Sequence, residues 1–229
     1  MSVTITPIAD HAILVSFADA ISNAAHGQVL ALDQALNANP PLGMAETVPA
    51  LVNILIAFDV AVTDHDAMAE AVRDLLKTLS DKRLQGRTHT VHVCYEDPFG
   101  PDIAAVAAAT GLSQEAVINA HLEGDYHVLM YGFAPGYAYM AGVPEAVQVP
   151  RKPAPVRGVA AGSVIIAGPQ CLITTLTMPT GWSIIGRSPT QILIDQPDRP
   201  FLFDVGDRVA FTRIDLATYD RFMAETADV

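Results

Sequence analysis

Basic side chains cluster in the part of the chain where turn-forming residues are most concentrated. Residues 132–189 contain eight of the fifteen glycines and eight of the sixteen prolines of the sequence. The same stretch carries a single acid and four basic residues, Arg151, Lys152, Arg157 and Arg187. Backbone N–H groups exposed in glycine turns and the planar guanidinium fork both favour a carboxylate or a phosphate. This segment therefore predicts a pocket for a small anion, in a protein whose net charge is −12.

The loop Gly132–Gly142 has the composition of a ligand-binding turn. It combines the pair Pro135-Gly136 with three glycines. A Pro-Gly pair suits a type II turn, and the glycines let the backbone fold close to a ligand. The alternative is an ordinary barrel loop whose aromatic side chains, Tyr137 and Tyr139, cover an edge of the core.

A second segment, Pro150–Arg157, is stiffened by three prolines. Prolines hold the neighbouring side chains in place at low entropic cost. Arginine binds a carboxylate or phosphate in a bidentate manner, whereas lysine acts as a point charge. The segment is therefore either a rigid anion-binding strap or a solvated basic turn.

Two further segments carry a serine, an arginine and the single tryptophan of the chain. Ser163 can cap the apolar strand that it begins or donate a hydrogen bond to an anion, and no partner base for a nucleophilic role is evident. Strand alternation places Trp182 and Ile184 on one face, so that Trp182 is either a core anchor or a pocket wall. Arg187, just beyond the predicted strand, is the best single candidate for an anion contact.

Several classes of protein are disfavoured by composition and spacing. The seven histidines show no spacing typical of metal ligands, so we expect no metal site. Neither a P-loop nor a GxGxxG turn opening a helix is present. The net charge of −12 argues against nucleic acid and anionic membranes as partners. No apolar run reaches the ~20 residues of a membrane helix, and no secretory signal is visible, so we expect a cytoplasmic protein with two reduced thiols.

The first part of the chain, residues 1–85, predicts a small α/β sandwich. Alternating apolar residues predict a strand at His11–Phe17, and a continuous apolar run predicts a buried strand at Ala50–Phe58. One helix is expected to begin at Ser22 or Asn23, and another at Asp64 or Asp66. The polar segment 80–88 is interpreted as a linker between domains.

The second part, residues 88–229, predicts a β-barrel domain. A period-two strand at residues 89–95 and two short helices, Asp102–Thr110 and Ser113–Leu122, begin it. Many short strands with turns between them then indicate a closed or nearly closed barrel. The predicted strands are Tyr126–Tyr131, Ser163–Ala167, Cys171–Thr177, Trp182–Gly186, Gln191–Asp195 and Arg208–Ile214, followed by a terminal helix Leu216–Thr226.

Five ordered motifs together resemble one known family. They are GFAPGYAYMAGVP, PRKPAPVR, AGSVIIAGPQ, GWSIIGRSP and DVGDRVAF. They resemble the carboxyltransferase subdomain C/D family, which includes the B subunit of bacterial 5-oxoprolinase, allophanate hydrolase subunit 1 and a related sporulation-kinase inhibitor. The resemblance implies an α+β protein in which a small N-terminal α/β domain precedes a cyclophilin-like β-barrel. The pocket positions that it implies are Gly132, Phe133, Pro135, Gly136, Tyr139, Arg151, Ser163, Gln170, Trp182 and Arg187.

The resemblance also implies an activity and partners. The leading expectation is a B-type subunit of a 5-oxoprolinase that acts with a C-type protein and a lactam-utilisation-type A protein. This complex would open the lactam of 5-oxoproline to glutamate with ATP, and Mg²⁺ is expected with the nucleotide. Opening a lactam requires an activated amide, and Arg151, Arg157 and Arg187 would stabilise the anionic charge that forms, with Ser163 as a further catalytic candidate. We expect little turnover from this chain alone.

Two alternatives stay open on the sequence. One is a non-catalytic inhibitor that docks on a histidine kinase, and the other is a component of an allophanate or urea amidolyase. The chain also departs from the usual pattern of the family at Val156, Thr175 and Thr180, around the predicted pocket. These departures leave the substrate open between a lactam and a urea-type compound, without affecting the expected scaffold.

Overall fold

The computed structural model describes residues 3–79, 86–194, 196 and 199–227. Most of the predicted linker, residues 80–85, lies outside the described residues. The chain divides into two compact units, Met1–Gln85 and Gly86–Val229. Within the described ranges, none of the helices combines the length and the apolar character needed to span a membrane.

The first unit is a four-stranded antiparallel sheet with two helices. Its elements are β1 (Thr4–Ile8), β2 (Ala12–Ser16), α1 (Asn23–Ala38), β3 (Met44–Pro49), β4 (Asn53–Phe58) and α2 (His65–Thr78). The strand order is β1-β2-β4-β3. Both helices begin at a predicted cap, since the side chains of Ser22 and Asp64 accept hydrogen bonds from the N–H groups of Ala25 and Ala67.

The two edge strands of this sheet, β1 and β3, were not predicted. Most of their side chains are exposed or half-buried, whereas β2 and β4 alternate with fully buried positions. A strand that buries little apolar surface shows no hydrophobic period in the sequence. Edge strands of this kind form because they pair with a strongly patterned neighbour.

The second unit is a closed β-barrel with helices. Its elements are β5 (Thr88–Cys94), α3 (Ile103–Thr110), α4 (Gln114–Leu122), β6 (Tyr126–Tyr131), β7 (Ala138–Ala141), a 3-10 turn (Glu145–Val147), β8 (Val156–Val159), β9 (Ser163–Ala167), β10 (Gln170–Ile173), β11 (Met178–Thr180), β12 (Ser183–Arg187), β13 (Arg208–Ile214) and α5 (Leu216–Ala227). Among the described strands the barrel order is β10-β7-β6-β13-β5-β12-β9, and β8 and β11 form a separate ribbon. The expected α+β class and the barrel are confirmed.

Within the second unit, pairing of its first strand, β5, with its last strand, β13, fixes the position of the terminal helix. β13 runs parallel to β5 in a continuous register from Arg208 opposite Thr88 to Ile214 opposite Cys94. α5 therefore begins beside the residues that follow β5. This register brings α5 next to the loop around Phe99, which contacts Tyr219 of α5 at 4.5 Å between ring centroids.

Two predicted strands need correction. Of the strand predicted at Gln191–Asp195, residues 191–194 do not form one, because Leu193 makes only an isolated bridge with Phe201 among the described residues, and residue 195 lies outside them. The strand predicted at Cys171–Thr177 ends at Ile173. It ends there because the next residue, Thr174, turns its side chain to donate a hydrogen bond to the carbonyl oxygen of Ala160 at 2.8 Å.

The faces of β12 are as predicted. Ile185 belongs to the core inside the barrel. Trp182 and Ile184 belong to a second apolar cluster, together with Tyr137, Ile165 and Leu172. The tryptophan is 6% exposed, so it is a core anchor of this outer cluster.

One polar cluster lies inside the barrel. The Tyr95 hydroxyl is 2.8 Å from Nδ1 of His121, and Sγ of Cys171 is 3.6 Å from Nε2 of the same ring. The Tyr126 hydroxyl donates to the main-chain carbonyl of His121 at 2.9 Å. His121 is fully buried, and this burial lowers its pKa to about 3. The imidazole is therefore neutral at physiological pH and serves as an internal hydrogen-bonding partner.

Candidate functional site

A cleft of about 210 Å³ lies at one end of the barrel in the second unit. It opens where β10 and β12 end and where β9 begins, and α5 forms one wall. The residues that line it are Ala161, Gly162, Thr174, Thr175, Ser188, Pro189, Thr190, Gln191, Ile192, Leu193, Tyr219 and Met223. The lining is mostly hydroxyl, amide and aliphatic groups, which suits a small polar ligand with an apolar part.

Gly162 lies where the main-chain segments that line the cleft contact one another. Its φ is +80°, and a Cβ at this position would lie 2.5 Å from the carbonyl oxygen of Ser188. The same glycine donates its N–H to the Thr174 carbonyl at 2.6 Å and accepts from the Ser188 N–H at 2.8 Å. The three segments that line the cleft therefore meet at a point that only glycine fits without strain.

Several of the hydroxyl groups in this region hold the turns together. Ser163 and Thr174 both donate to the carbonyl oxygen of Ala160 at 2.8 Å. Thr175 donates to the carbonyl oxygen of Pro135 at 2.6 Å. These bonds fix the floor of the cleft.

Arg187 borders the cleft and is held by two aromatic rings. Its guanidinium lies 4.7 Å from the ring centroid of Phe99, and its Cγ lies 3.6 Å from where a Cβ on Gly162 would be. Burial raises the pKa of the Tyr219 hydroxyl, and the charge and hydrogen bond of Arg187 oppose that rise. Nε of Arg187 is buried and has no hydrogen-bond partner among the described residues. A cation thus stands directly behind a residue that lines the cleft.

The loop Gly132–Gly142 also borders this cleft. The N–H of Tyr137 donates to the Ala134 carbonyl at 3.1 Å, which closes the predicted turn around Pro135 and Gly136. A Cβ on Gly136 would lie 2.7 Å from Leu193 and 3.0 Å from Thr175, both of which line the cleft. The loop therefore supports the rim.

Phe133, in the same loop, presents its side chain to the surface. It has a φ of 70°, unusual for a residue with a side chain, and it is 70% exposed. Its ring lies 5.6 Å from the Tyr137 ring. Gly132 precedes it and donates its N–H to the Tyr137 carbonyl at 3.3 Å.

A second group of predicted residues lies at the other end of β12. The guanidinium of Arg151 is 5.6 Å from the Trp182 ring centroid, and the Tyr139 ring is 5.9 Å from the same tryptophan. Lys152 forms a half-buried salt bridge with Asp102. The carboxylate of Asp102 also accepts the Ile184 N–H at 2.6 Å. The positive charge of Lys152 is therefore neutralised within the fold.

The arginines predicted to share one basic pocket have different neighbours in the fold. Arg151 packs on Trp182, whereas Arg187 packs on Phe99. That the two converge on one ligand stays a prediction. Arg157 is exposed on β8, in the ribbon outside the barrel.

Two other predicted site residues, Ser163 and Gln170, have structural positions in the barrel. Ser163 is 1% exposed, and its hydroxyl is engaged with the Ala160 carbonyl. Its geometry gives no support to a catalytic role. Gln170 lies on β10 and pairs with Ala141 on one side and Ala167 on the other. Neither Ser163 nor Gln170 lines the cleft.

Comparison with known proteins places the chain in a family. The sequence pattern of the family described as "Carboxyltransferase domain, subdomain C and D" matches residues 3–203. The chain belongs to this family. The helix α5 lies beyond the matched residues.

Relatives within and near the carboxyltransferase subdomain C and D family agree in extent and fold. The B subunit of 5-oxoprolinase from Bacillus subtilis is 32% identical over 97% of this chain and 97% of its own length. The crystal structure of TTHA0988 is 33% identical with a TM-score of 0.79 and covers 90% of this chain, which spans 40% of that longer chain. The urea amidolyase of K. lactis has a TM-score of 0.79 at 16% identity, covering 97% of this chain and 15% of that one, so that it shares the fold alone.

The cleft is a poor fit for the nucleotide that the family resemblance implies. Pockets for drug-sized ligands usually enclose about 300–1,000 Å³. A nucleoside triphosphate is at least that large, whereas this cleft encloses about 210 Å³. Within the part of the chain that the structure describes, no three His, Cys, Asp or Glu side chains are grouped so as to hold a metal ion. This cleft is therefore too small to be the site for ATP with Mg²⁺.

The sequence interpretation found the turns of the site and missed most of its lining. The motif around Gly162 and the position of Arg187 gave usable signals, since a glycine turn and a strand-end arginine are both recognisable. Thr174 and Thr190 were missed because isolated threonines carry no such signal, and Thr175 was noted only as a departure from the family pattern near the predicted pocket. Tyr219 was missed because its place depends on where α5 returns to the barrel.

Proposed function

We propose that this chain is the B-type component of an ATP-dependent 5-oxoprolinase complex. The complex opens the lactam ring of 5-oxoproline to give glutamate. The other components are a C-type protein and a lactam-utilisation-type A protein. Cytoplasmic location, and Mg²⁺ accompanying the nucleotide, stay predictions.

The observation that carries this proposal is the match with the B subunit of 5-oxoprolinase from Bacillus subtilis. That match is 32% identical and extends over 97% of both chains, so the two proteins correspond along nearly their whole length. The cleft adds chemical support. Its hydroxyl and aliphatic lining, with Arg187 behind it, suits a small ring compound that carries one negative charge.

The role proposed for this chain is to hold and orient the substrate. The cleft is small, its turns are fixed by main-chain hydrogen bonds, and none of the described side chains that line it is a carboxylate, histidine or cysteine. Groups that accept and release protons near the lactam nitrogen are therefore expected from a partner protein. The nucleotide is also assigned to a partner, because the cleft is too small for it.

The test is reconstitution of the complex from purified components. We expect release of glutamate from 5-oxoproline only when ATP and all three proteins are present. The isolated chain should release almost none. Failure of the complete mixture to form glutamate, together with strong inhibition of a histidine kinase by the isolated chain, would support a regulator instead. Preferential cleavage of allophanate by the mixture would assign the chain to a urea-type system.

Removal of the positive charge behind the cleft should have a large effect on turnover. A substrate that is held in the wrong position commonly reacts about 100-fold more slowly. We therefore expect Arg187→Ala to reduce kcat/KM of the complex by about 100-fold. Arg221→Ala is the matched control, because Arg221 is an exposed arginine on α5 that stacks on Phe222. Equal turnover in the two variants would exclude Arg187 from the reaction.

A further inference from the structure

The wall that α5 contributes to the cleft contains a tyrosine, Tyr219. This residue lies outside residues 3–203, which carry the match to the carboxyltransferase family. Tyr219 is 8% exposed and is one of the residues that line the cleft. It is therefore placed to touch a ligand without being part of the recognised motifs.

Tyr219 is held in a fixed orientation by its neighbours. Its ring lies 4.5 Å from the Phe99 ring, and the Arg187 guanidinium lies 4.7 Å from Phe99 on the same cluster. The positive charge of Arg187 also acts on the Tyr219 hydroxyl and lowers its pKa, against the effect of burial. Phe99 thus positions both the phenol ring and the cation.

The neighbouring cation determines what Tyr219 can offer a ligand. A guanidinium has donors and no acceptor, so in any hydrogen bond between the two groups the tyrosine oxygen is the acceptor. The hydroxyl hydrogen of Tyr219 then remains available for donation. A hydroxyl that accepts from a cation is a stronger donor than a free one, because hydrogen bonds in series polarise one another.

We propose that Tyr219 and Arg187 form the carboxylate-binding end of the cleft, and that the cleft holds the small lactam acid while the nucleotide binds elsewhere in the complex. Tyr219 donates to a carboxylate oxygen, and Arg187 is a positioning residue that supplies the positive charge through it. This inference rests on the proposed function only for the name of the acid, 5-oxoproline.

Three observations favour a small carboxylate over other ligands. The volume of about 210 Å³ suits a single ring with a short substituent. Among the described lining residues none is acidic, so an anion meets no like charge. Arg187, whose Cγ would lie 3.6 Å from a Cβ on the lining residue Gly162, places a permanent positive charge behind this end of the cleft, which favours an anion.

The test measures the binding of small molecules to the full 229-residue chain. Binding is monitored through changes in the backbone amide chemical shifts in NMR spectra. The probes are 5-oxoproline, its analogue 2-pyrrolidinone, which has the same ring without the carboxylate, and a non-hydrolysable ATP analogue with Mg²⁺. We expect 5-oxoproline to shift the amides of Gly162, Thr175 and Thr190. The loss of a charge-assisted bond weakens affinity by about tenfold or more, so 2-pyrrolidinone should bind at least that much more weakly. The nucleotide analogue should leave these amides unchanged.

Substitution of Tyr219 separates a ligand contact from a structural role. Tyr219→Phe keeps the ring on Phe99 and removes only the hydroxyl. We expect this variant to bind 5-oxoproline about tenfold more weakly and to bind 2-pyrrolidinone with unchanged affinity, since only the acid uses that hydroxyl. If Tyr219 had only a structural role, the affinity for both probes would fall equally. Tyr131→Phe is the control, because Tyr131 donates its hydroxyl to the Phe203 carbonyl at 2.7 Å and does not line the cleft.

Arg187→Lys tests the positioning role. Lysine keeps the charge but lacks the planar fork and the stacking surface. Partial recovery of acid binding, relative to Arg187→Ala, is the expected result. No recovery, with both variants folded, would show that charge at this position is irrelevant.

The inference and the proposed function can fail separately. Shifts caused by the nucleotide analogue at Gly162, or no shifts with 5-oxoproline at saturating concentration, would overturn the inference even if the complex releases glutamate. Selective binding of 5-oxoproline at the cleft without glutamate release by the complete complex would sustain the inference and overturn the proposed function.

Discussion

The barrel unit keeps polar side chains in two settings, inside the barrel and at the cleft. Inside, Tyr95, His121 and Cys171 are 5%, 0% and 0% exposed and contact one another. At the cleft, Tyr219 faces an open volume and Arg187 has a buried Nε with no described partner. A cluster that satisfies its own hydrogen bonds and excludes water specifies the fold, whereas a permanent cation behind an open cleft favours an anionic ligand.

The two settings also differ in protonation. Burial lowers the pKa of His121 to about 3 and raises the pKa of the Cys171 thiol. Both groups are therefore neutral near physiological pH, and neither is placed to act as a base or nucleophile. At the cleft a permanent cation remains. Shifted pKa values alone would have pointed to the cluster inside the barrel as the candidate site. Access to solvent distinguishes the cleft from that cluster.

The largest effect on the cleft side is expected from Gly162→Ala. The new Cβ would lie 2.5 Å from the Ser188 carbonyl oxygen, at a φ of +80°. Backbone atoms must then move, and the Ser188 N–H bond to residue 162 is strained. We expect a loss of about 3 kcal/mol in the free energy of unfolding, measured in urea, together with loss of acid binding.

Gly158→Ala is the matched control for that experiment. Gly158 has a similar φ of +67°, but a Cβ there meets nothing within 4 Å. Only the conformational cost remains, which is about 1 kcal/mol. Equal losses of unfolding free energy in the two variants would mean that the close contact at Gly162 does not contribute to stability. The cleft would then not be a fixed feature of the fold.

The barrel interior should control how stability depends on pH. His121 has a pKa of about 3 in the folded protein against an ordinary value of 6.5, so between these values the unfolded chain binds the extra proton. Stability is therefore complete above pH 6.5 and falls as the pH is lowered toward 3. The slope from this residue is about 1.4 kcal/mol per pH unit.

That slope can be measured by urea unfolding at a series of pH values. His127 also has a pKa lowered by burial, so His127→Gln serves to subtract its contribution. In His121→Asn the slope assigned to His121 should disappear. As an independent readout, the His121 ring signals in NMR spectra should not titrate near the ordinary pKa. An imidazole that titrates normally would contradict the closed interior and erase the contrast with the cleft.

Sequence reasoning succeeded where an element carries its own pattern. α1 and α2 were predictable because apolar residues recur at helical spacing behind a capping side chain, and β13 because its boundaries coincide with a sustained strand pattern. β7, β8 and β11 contain only three or four residues each. Too few positions remain for a period to be visible, and these strands form through partners distant in sequence.

The same reasoning explains the partial success at the site. Arg187 was found because a strand-end arginine has a local signature, whereas Gly162 was present only within a motif whose named candidate was Ser163. Tyr219 was beyond reach, since it meets Phe99 only because β13 pairs with β5 in parallel and brings Ile214 opposite Cys94. Arg151 and Arg187 lie in one basic segment of the sequence, and their different aromatic partners, Trp182 and Phe99, could not be read from it.

The smallest effect is expected at the Trp182 end of β12, from Lys152→Met. Lys152 pairs with Asp102 while both side chains are about four-fifths buried, at 21% and 19% exposure. Methionine keeps most of the packing, and Asp102 still accepts the Ile184 N–H. We therefore expect a loss of about 1 kcal/mol in unfolding free energy. Acid binding should not change, because this end of the strand is separate from the cleft. A clear weakening of 5-oxoproline binding in this variant, without a change in fold, would mean that the two ends of β12 act as one site, and the cleft alone would no longer account for recognition.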